Sequence, residues 1–271
     1  PEFNVYISQL PFRILTVYYC WRCLNKNNTI DFLLLGIFSA FGFLSHYLFI
    51  YLLISIFLYV AYLFYQKKNI NSKIYISAIT FVIIIVPHFI WLLNNDFITL
   101  TYASQRSTIL ENDILDHIIN PILFVVKQIG LLIPFFLMTY LLLKKIKFNL
   151  NLKDHKMLYL LAINILPLVL LFVTSILLGS KIRTMWVSPF YLSLGILFLY
   201  SLKKHIDLKK IKKFLIAFIF ILILSPSAYL IISLSQDNKR TDYPGKEISD
   251  LVQRKWTKNF SNEIMVVIGD E

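Results

Sequence analysis

The sequence predicts an all-α integral membrane protein. A polytopic helical bundle of about eight crossings fills residues 1–233, and the start of a small extracytoplasmic α/β domain occupies 234–271. Three observations carry this. The first is composition: of 271 residues, 58% are hydrophobic and 16% aromatic, with a mean hydropathy of +0.68. A soluble globular domain does not need so much apolar surface. The second is the length of the apolar runs, close to the roughly 20 residues that a helical crossing requires. A β-barrel would instead show alternating segments of about ten. The third is the placement of lysine. A net charge of +12 could suit nucleic acid, but in a membrane chain the sidedness of the lysines is the better explanation. No nucleic-acid partner is expected.

Taken in order, crossings are expected at about 10–24, 30–44, 46–65, 74–93, 121–143, 157–178, 185–201 and 214–233. The first closes on "CWRC", Cys20 to Cys23. A redox pair of that spacing needs a βαβ context, so at the end of an apolar helix the cysteines are read as packing residues. The run from Phe32 to Tyr65 holds no Asp, Glu, Lys or Arg and is too long for one crossing. It is divided at "GFLSHY", where Gly42, Ser45 and His46 interrupt it; a re-entrant half-length helix is the alternative. Pro87, inside the fourth span, reads as a kink. No internal repeat at a fixed period is visible, which weighs against a repeat-built transporter.

Lysines set the direction. If the span at 74–93 runs outward, the cytoplasmic side holds Arg22, Lys26, Lys67, Lys68 and Lys73, then Lys144, Lys145, Lys147, Lys153 and Lys156. It also holds Lys203, Lys204, Lys209, Lys210, Lys212 and Lys213, which makes 16 of the 27 basic residues. The short loops opposite hold only Arg106, Lys181 and Arg183. By the positive-inside rule this is a multi-pass protein of the inner (plasma) membrane, with the 96–120 loop and the C-terminal tail outside. That loop carries Asp96, Glu111, Asp113 and Asp116. Its "STILENDILDHIINPI" portion has apolar residues at helical spacing and predicts a short amphipathic helix on the membrane surface. Beyond 234 the chain turns polar and closes on "NEIMVVIGDE", read as a strand and turn opening a soluble domain. Gly269 to Glu271 belong to that turn and are not read as a catalytic carboxylate pair. A chain that starts at Pro1 and stops in a strand reads as an internal piece of a longer protein.

Polar groups at membrane depth are costly and tend to be functional or paired. His46, His88 and Lys127 fall at or near the outer ends of crossings, and Arg13 near the start of the first. Ser180, Lys181, Arg183 and Trp186 share the short outer loop "GSKIRTMWVSP". Together they describe an anion site at the outer interface. Arg and Lys supply charge and donors for phosphate, while Trp and Tyr suit a level where one edge is wet and the other apolar. The plainer reading is snorkelling cations and ordinary interfacial anchors.

Several of these stretches carry a resemblance. "GIFSAFGFLSHYLFIYLL" resembles the "GLGLLSKY" segment of glycosyltransferase family 39, the relatives of dolichyl-phosphate-mannose protein mannosyltransferase and of lipid A aminoarabinose transferase. "VPHFIWLLNNDFITLTYASQR" is similar to the "PHxxWLxxNDFxxxxYAxxR" stretch of bacterial members, and "KIRTMWVSPF" to their "RxxWxxP" segment. "NEIMVVIGDE" resembles the strand that opens their C-terminal soluble domain.

The resemblance implies a GT-C fold and a transferase that takes a sugar from a polyprenyl-phosphate donor on the extracytoplasmic face. The acceptor would be a lipid, glycan or protein. The family's acidic catalytic pair belongs to the first outer loop, upstream of Pro1, so this piece as given is expected to be inactive. Donor phosphate would be held by Arg183, Arg106, Lys181 and His88, in a cavity lined by Trp91, Asp96, Tyr102, Trp186 and His46. His46 stands where the family usually has Lys, and a histidine is mostly neutral near pH 7 unless an anion raises its pKa. No cofactor is assigned: a divalent ion beside His88 would suit the family, but no second ligand is apparent. The implied reaction deprotonates an acceptor hydroxyl, which attacks the sugar C1 and expels polyprenyl phosphate. Nearby cations stabilise the charge that the leaving phosphate gains. A lipid flippase or transporter would bind the same phosphate but needs charged or broken-helix groups near the midplane. A non-catalytic scaffold predicts no clustering of the polar groups in space.

Overall fold

The computed structural model describes residues 4–66, 71–107, 114–148, 150–235 and 244–262. The helices are α1 Val5–Asn25, α2 Thr29–Ser45, α3 Ile50–Tyr65, α4 Ile74–Asn94, α5 Ile98–Ser107 and α6 Asp116–Leu141. They continue as α7 His155–Asn164, α8 Leu166–Leu178, α9 Thr184–Val187, α10 Leu194–Leu202, α11 Ile211–Ser235 and α12 Gly245–Asn259. Short 3-10 turns at Tyr47–Phe49, Ser188–Tyr191 and Leu208–Lys210 precede α3, α10 and α11. Among the described residues the β pairing is limited to one isolated antiparallel bridge, Leu143 with Ile206. Lipid offers the backbone no hydrogen bonds, so an apolar chain satisfies its own within helices.

Internal contacts divide the chain into two units, Pro1–Phe214 and Leu215–Glu271. In the second, α12 buries no residue, and Trp256 stacks on Phe260 at 4.5 Å between ring centroids. The strand expected in "NEIMVVIGDE" lies at 263–271, outside the described residues.

A helix stands at each of the eight expected places. Five are long and apolar enough to cross a membrane: Tyr47–Tyr65, Ile74–Asn94, Asp116–Leu141, His155–Leu178 and Leu208–Ser235. A sixth requires Thr184–Tyr191 and Leu194–Leu202 to be taken as one span bent by 50°. By length and composition α1 and α2 fall short of the eight crossings expected. α2 has 17 residues, and α1 buries Gln9, Arg13 and Thr16 on the face that should have been apolar.

Caps fix the ends. Asn4 accepts from the backbone N–H groups of Tyr6 and Ile7 at 3.1 and 3.3 Å, and Asn28 from Ile30 at 3.3 Å, each satisfying an orphan donor of a first turn. The uncharged run divides where expected. α2 ends at Ser45, His46 is extended, and its Nδ1 accepts from the Leu48 N–H at 3.2 Å. Gly42 is needed beside this break, because a Cβ there would run into the Phe49 ring. The separate amphipathic helix expected within 107–122 is corrected. From Asp116 the chain forms one 26-residue helix to Leu141, because its apolar periodicity continues without a break and propagation is easier than a new nucleus. Residues 108–113 of that segment lie outside the described residues. The short helix of this region is α5 instead.

The first unit has two chemically distinct ends. At the lysine end the Asn71 amide bonds the Asn27 side chain, and the Tyr59 hydroxyl donates to the His155 carbonyl at 3.1 Å. The Tyr200 hydroxyl donates to Asp154 at 2.5 Å and holds that carboxyl below its ordinary pKa. Between the ends α1, α2, α3 and α7 share a core of Phe32, Leu52, Tyr59, Tyr159 and both cysteines, which are free and buried as packing residues.

α2 meets α4 through small residues, which let helix backbones approach where apolar burial offers no drive. The Ser77 hydroxyl donates to the Phe32 carbonyl at 2.7 Å. Gly36 sits under the same contact: a Cβ would lie 2.6 Å from the Ser77 carbonyl oxygen and 2.7 Å from the Thr80 Cβ. Gly36→Leu should therefore destabilise the unit by about 1–3 kcal/mol through overpacking, read as a lower thermal midpoint in detergent. Gly130→Leu, whose Cβ would meet nothing within 4 Å, should leave the midpoint unchanged. Equal midpoints for the two variants would contradict the contact.

Candidate anion site at the aromatic end

The opposite end is built by α4, α5 and the break before α3. His88 lies one turn before Trp91 on α4, and their rings stack with centroids 5.9 Å apart and planes at 14°. The Tyr47 hydroxyl lies 2.8 Å from His88 Nε2 and 2.8 Å from the Thr99 hydroxyl. A phenol carries one proton, so it donates to one neighbour and accepts from the other. α5 reaches this position because the chain folds back at once after α4. Asp96 and Phe97 take the left-handed conformation, with φ of 49° and 53°, and the Phe97 N–H bonds the Leu92 carbonyl at 2.9 Å. Each such non-glycine residue costs about 1–2 kcal/mol. The Thr99–Tyr47–His88 hydrogen bonds offset part of that strain and hold α5 across the bundle end.

A second group forms around the turn after α8. Gly179 ends that helix at φ 60°, with the His117 ring 3.1 Å from where a Cβ would stand. From α6, His117 Nδ1 lies 2.7 Å from the Ile176 carbonyl, and the Asn120 amide donates to the Gly179 carbonyl at 2.8 Å. The Lys181 N–H donates to the Ser107 carbonyl at 3.0 Å, joining the end of α5 to this turn. Ile182 is buried, while Lys181 and Arg183 on either side are exposed. The Arg183 guanidinium lies 5.8 Å from the centre of the Trp186 ring, a cation–π arrangement.

The predicted site residues are thus distributed over two neighbouring groups. His46, His88, Trp91 and Asp96 belong to the first; Lys181, Arg183 and Trp186 belong to the second. The Lys181–Ser107 bond links them directly, and Leu48 from the break and Tyr51 from α3 pack against the cluster of Ile182, Val187 and Phe190, as does Trp186. Tyr102 is exposed on α5. Arg106 is on the last turn of α5, and its side chain lies outside the described residues. His46 caps the break and touches the Tyr6 ring at 5.3 Å. Lys127 is not at a helix end but well inside α6. Among the described residues no three His, Cys, Asp or Glu side chains gather so as to hold a metal ion, and His88 Nε2 is already engaged by Tyr47.

Sequence reasoning missed Tyr47 and Thr99, and it missed a buried polar seam. Arg13 is 1% exposed, with its guanidinium 4.1 Å over the Phe190 ring and one N–H donating to the Ile163 carbonyl at 3.4 Å. Its Nε and Nη1, both amide atoms of Gln9, the Thr16 hydroxyl and Gln128 Nε2 have no hydrogen-bond partner among the described residues. Gln9, Arg13, Thr16, Cys20 and Cys23 recur at intervals of three and four on α1, a legible signal for one buried face. A buried guanidinium without a carboxylate carries a penalty of several kcal/mol, of which a cation–π contact returns about 2. The seam adjoins the Arg183 turn through Phe190.

The fold and these two groups define a polytopic helical membrane protein with cations and aromatic rings gathered at one end. Residues 1–91 match the family model described as dolichyl-phosphate-mannose-protein mannosyltransferase, which supports a glycosyltransferase akin to family 39 and agrees with the resemblance read from the sequence. No curated protein and no solved structure matches the chain.

Replacing Tyr47 tests the geometry of the first group. Tyr47→Phe removes two hydrogen bonds worth together about 1–2 kcal/mol, so amide exchange across 98–107 should speed up by about 5–30-fold, while α4 is unchanged. Unaltered exchange in α5 would show that these bonds do not hold it.

Proposed function

We propose that this protein is a membrane glycosyltransferase that moves a sugar from a polyprenyl-phosphate donor to a lipid, glycan or protein acceptor at the extracytoplasmic face. The observation that carries the reading is the family match over residues 1–91. The clustering of cations and aromatic rings at the end opposite the lysines supports it. In this reading the donor phosphate sits against Arg183, with Lys181, Arg106 and His88 nearby, and Trp186 fixes the plane of the guanidinium. Arginine's planar fork answers two phosphate oxygens at once, whereas lysine is a point charge. The charge that these groups meet develops as the glycosidic bond to phosphate breaks.

A transport reading has one observation in its favour. The buried Gln9–Arg13–Thr16 seam and the 50° bend between α9 and α10 supply the polar and broken-helix groups inside the bundle that a lipid transporter would need. The two readings part at turnover. In membranes from cells making the full-length enzyme, Arg183→Lys should keep insertion and donor binding but slow sugar transfer by about 10²–10³-fold, the loss of one preorganised donor. Unimpaired transfer by Arg183→Ala would remove Arg183 from the reaction. Lipid movement in vesicles without any sugar transfer would favour transport.

A further inference from the structure

At the lysine end of the first unit, away from the groups just described, two cavities share a wall. The first, about 490 Å³, is lined by Lys144, Lys145, Lys210 and Lys213 together with Tyr140, Leu143 and other apolar residues. None of its lining residues is acidic. The second, about 350 Å³, is almost wholly apolar and shares Tyr140, Leu143 and Ile146 with the first. Ile133, Phe136, Leu137 and Tyr140 line it from α6 at helical spacing, so it follows the last two turns of that helix up to the lysines. Its floor is Phe198, packed edge-on against Phe135 at 5.0 Å.

The frame around the lysines is pinned. The Lys144 N–H donates to the His205 carbonyl and the Asp207 N–H to the Leu142 carbonyl, each at 2.8 Å, on either side of the Leu143–Ile206 bridge. Lys210 Nζ donates to the Leu143 carbonyl at 2.6 Å. Asp207, the nearby acid, accepts from the Lys209 N–H at 3.1 Å and does not line the cavity. Sidedness alone requires lysines on a face, but it does not require four of them around one hollow that runs into an apolar groove. Like charges so placed repel, and an anion between them relieves the repulsion. Basic hollows between membrane helices at this level suit lipid headgroups.

We propose that these joined cavities bind an anionic phospholipid, its phosphate among Lys144, Lys145, Lys210 and Lys213 and one hydrocarbon chain in the groove along α6. A free phosphate would share the headgroup chemistry but leave the groove without a role.

The test is native mass spectrometry of the intact protein in neutral detergent, titrated with phosphatidylglycerol. The variant K144Q/K145Q/K213Q leaves Lys210, which holds the frame, in place. A lysine near an anionic headgroup is worth about fivefold in affinity, so the triple variant should weaken the first bound lipid well over tenfold. K203Q/K204Q/K212Q, equal in charge change and outside the cavity lining, should weaken it far less. Leu137→Gln should weaken phosphatidylglycerol but not inorganic phosphate. Equal losses in the two triple variants would overturn the proposal in favour of a diffuse basic face. Inorganic phosphate binding as tightly as phosphatidylglycerol would overturn the lipid assignment. Should the triple variant fail to insert, Lys145→Gln alone carries the test: an exposed side chain whose loss must cost about fivefold.

Discussion

The chain has no ionised side chain between Phe32 and Tyr65, yet it must reverse direction there, and the rest of the first unit depends on how it does so. In an apolar surrounding every freed backbone group needs a partner. The break at Ser45–Tyr47 meets this locally: the Ser45 hydroxyl donates to the Phe41 carbonyl at 2.7 Å, and His46 accepts from the Leu48 N–H. An imidazole nitrogen that accepts cannot carry a proton, so His46 serves the turn as a neutral cap. Gly42 then leaves room for Phe49, which is wholly buried. Because the break is this tight, Tyr47 points toward α4 and α5 while Leu48 and Tyr51 pack toward the Arg183 turn. One interruption thus serves both groups of the candidate site.

From that reversal follows the sorting of polarity. In the first unit most of the lysines collect at one end, while His88, Trp91, Lys181, Arg183 and Trp186 collect at the other. Strain and unmet polar atoms concentrate on or next to the second side. Asp96 and Phe97 are left-handed, and the Gln9–Arg13–Thr16 seam has atoms without partners among the described residues. Strain and unmatched polarity of this kind persist only where the surrounding structure overdetermines them, and such places are often functional.

Much of the fold was legible because membrane helices announce themselves by length. Asn28, Asp154 and Gly179 mark boundaries by capping chemistry that can be read from one sequence. The division of the long uncharged run was legible from Gly42, Ser45 and His46. What escaped was decided by tertiary context. α5 has little apolar periodicity and exists because Thr99 reaches Tyr47, a contact 52 residues apart. Tyr47 itself is one of 16 tyrosines with no local mark of its role. α1 was read as an ordinary crossing although its polar residues fall on one face, a spacing that could have been noticed. The aromatic wall beside Arg183 was legible from a spacing of three residues, because neighbours on a helix face are fixed by its pitch. The tie between Lys181 and Ser107 was not, since backbone hydrogen bonds between distant loops leave no trace in side-chain pattern.

Everything in this account rests on the aromatic end facing outward and the lysine end inward. Single cysteines at exposed positions of the two ends decide it, because Cys20 and Cys23 are 2% and 7% exposed and should stay silent. In intact cells treated with a membrane-impermeant maleimide, Ser104→Cys on α5 should be modified, and Ser72→Cys before α4 only after permeabilisation. Modification of Ser72→Cys in intact cells, with Ser104→Cys protected, would contradict the orientation and with it the placement of the donor site.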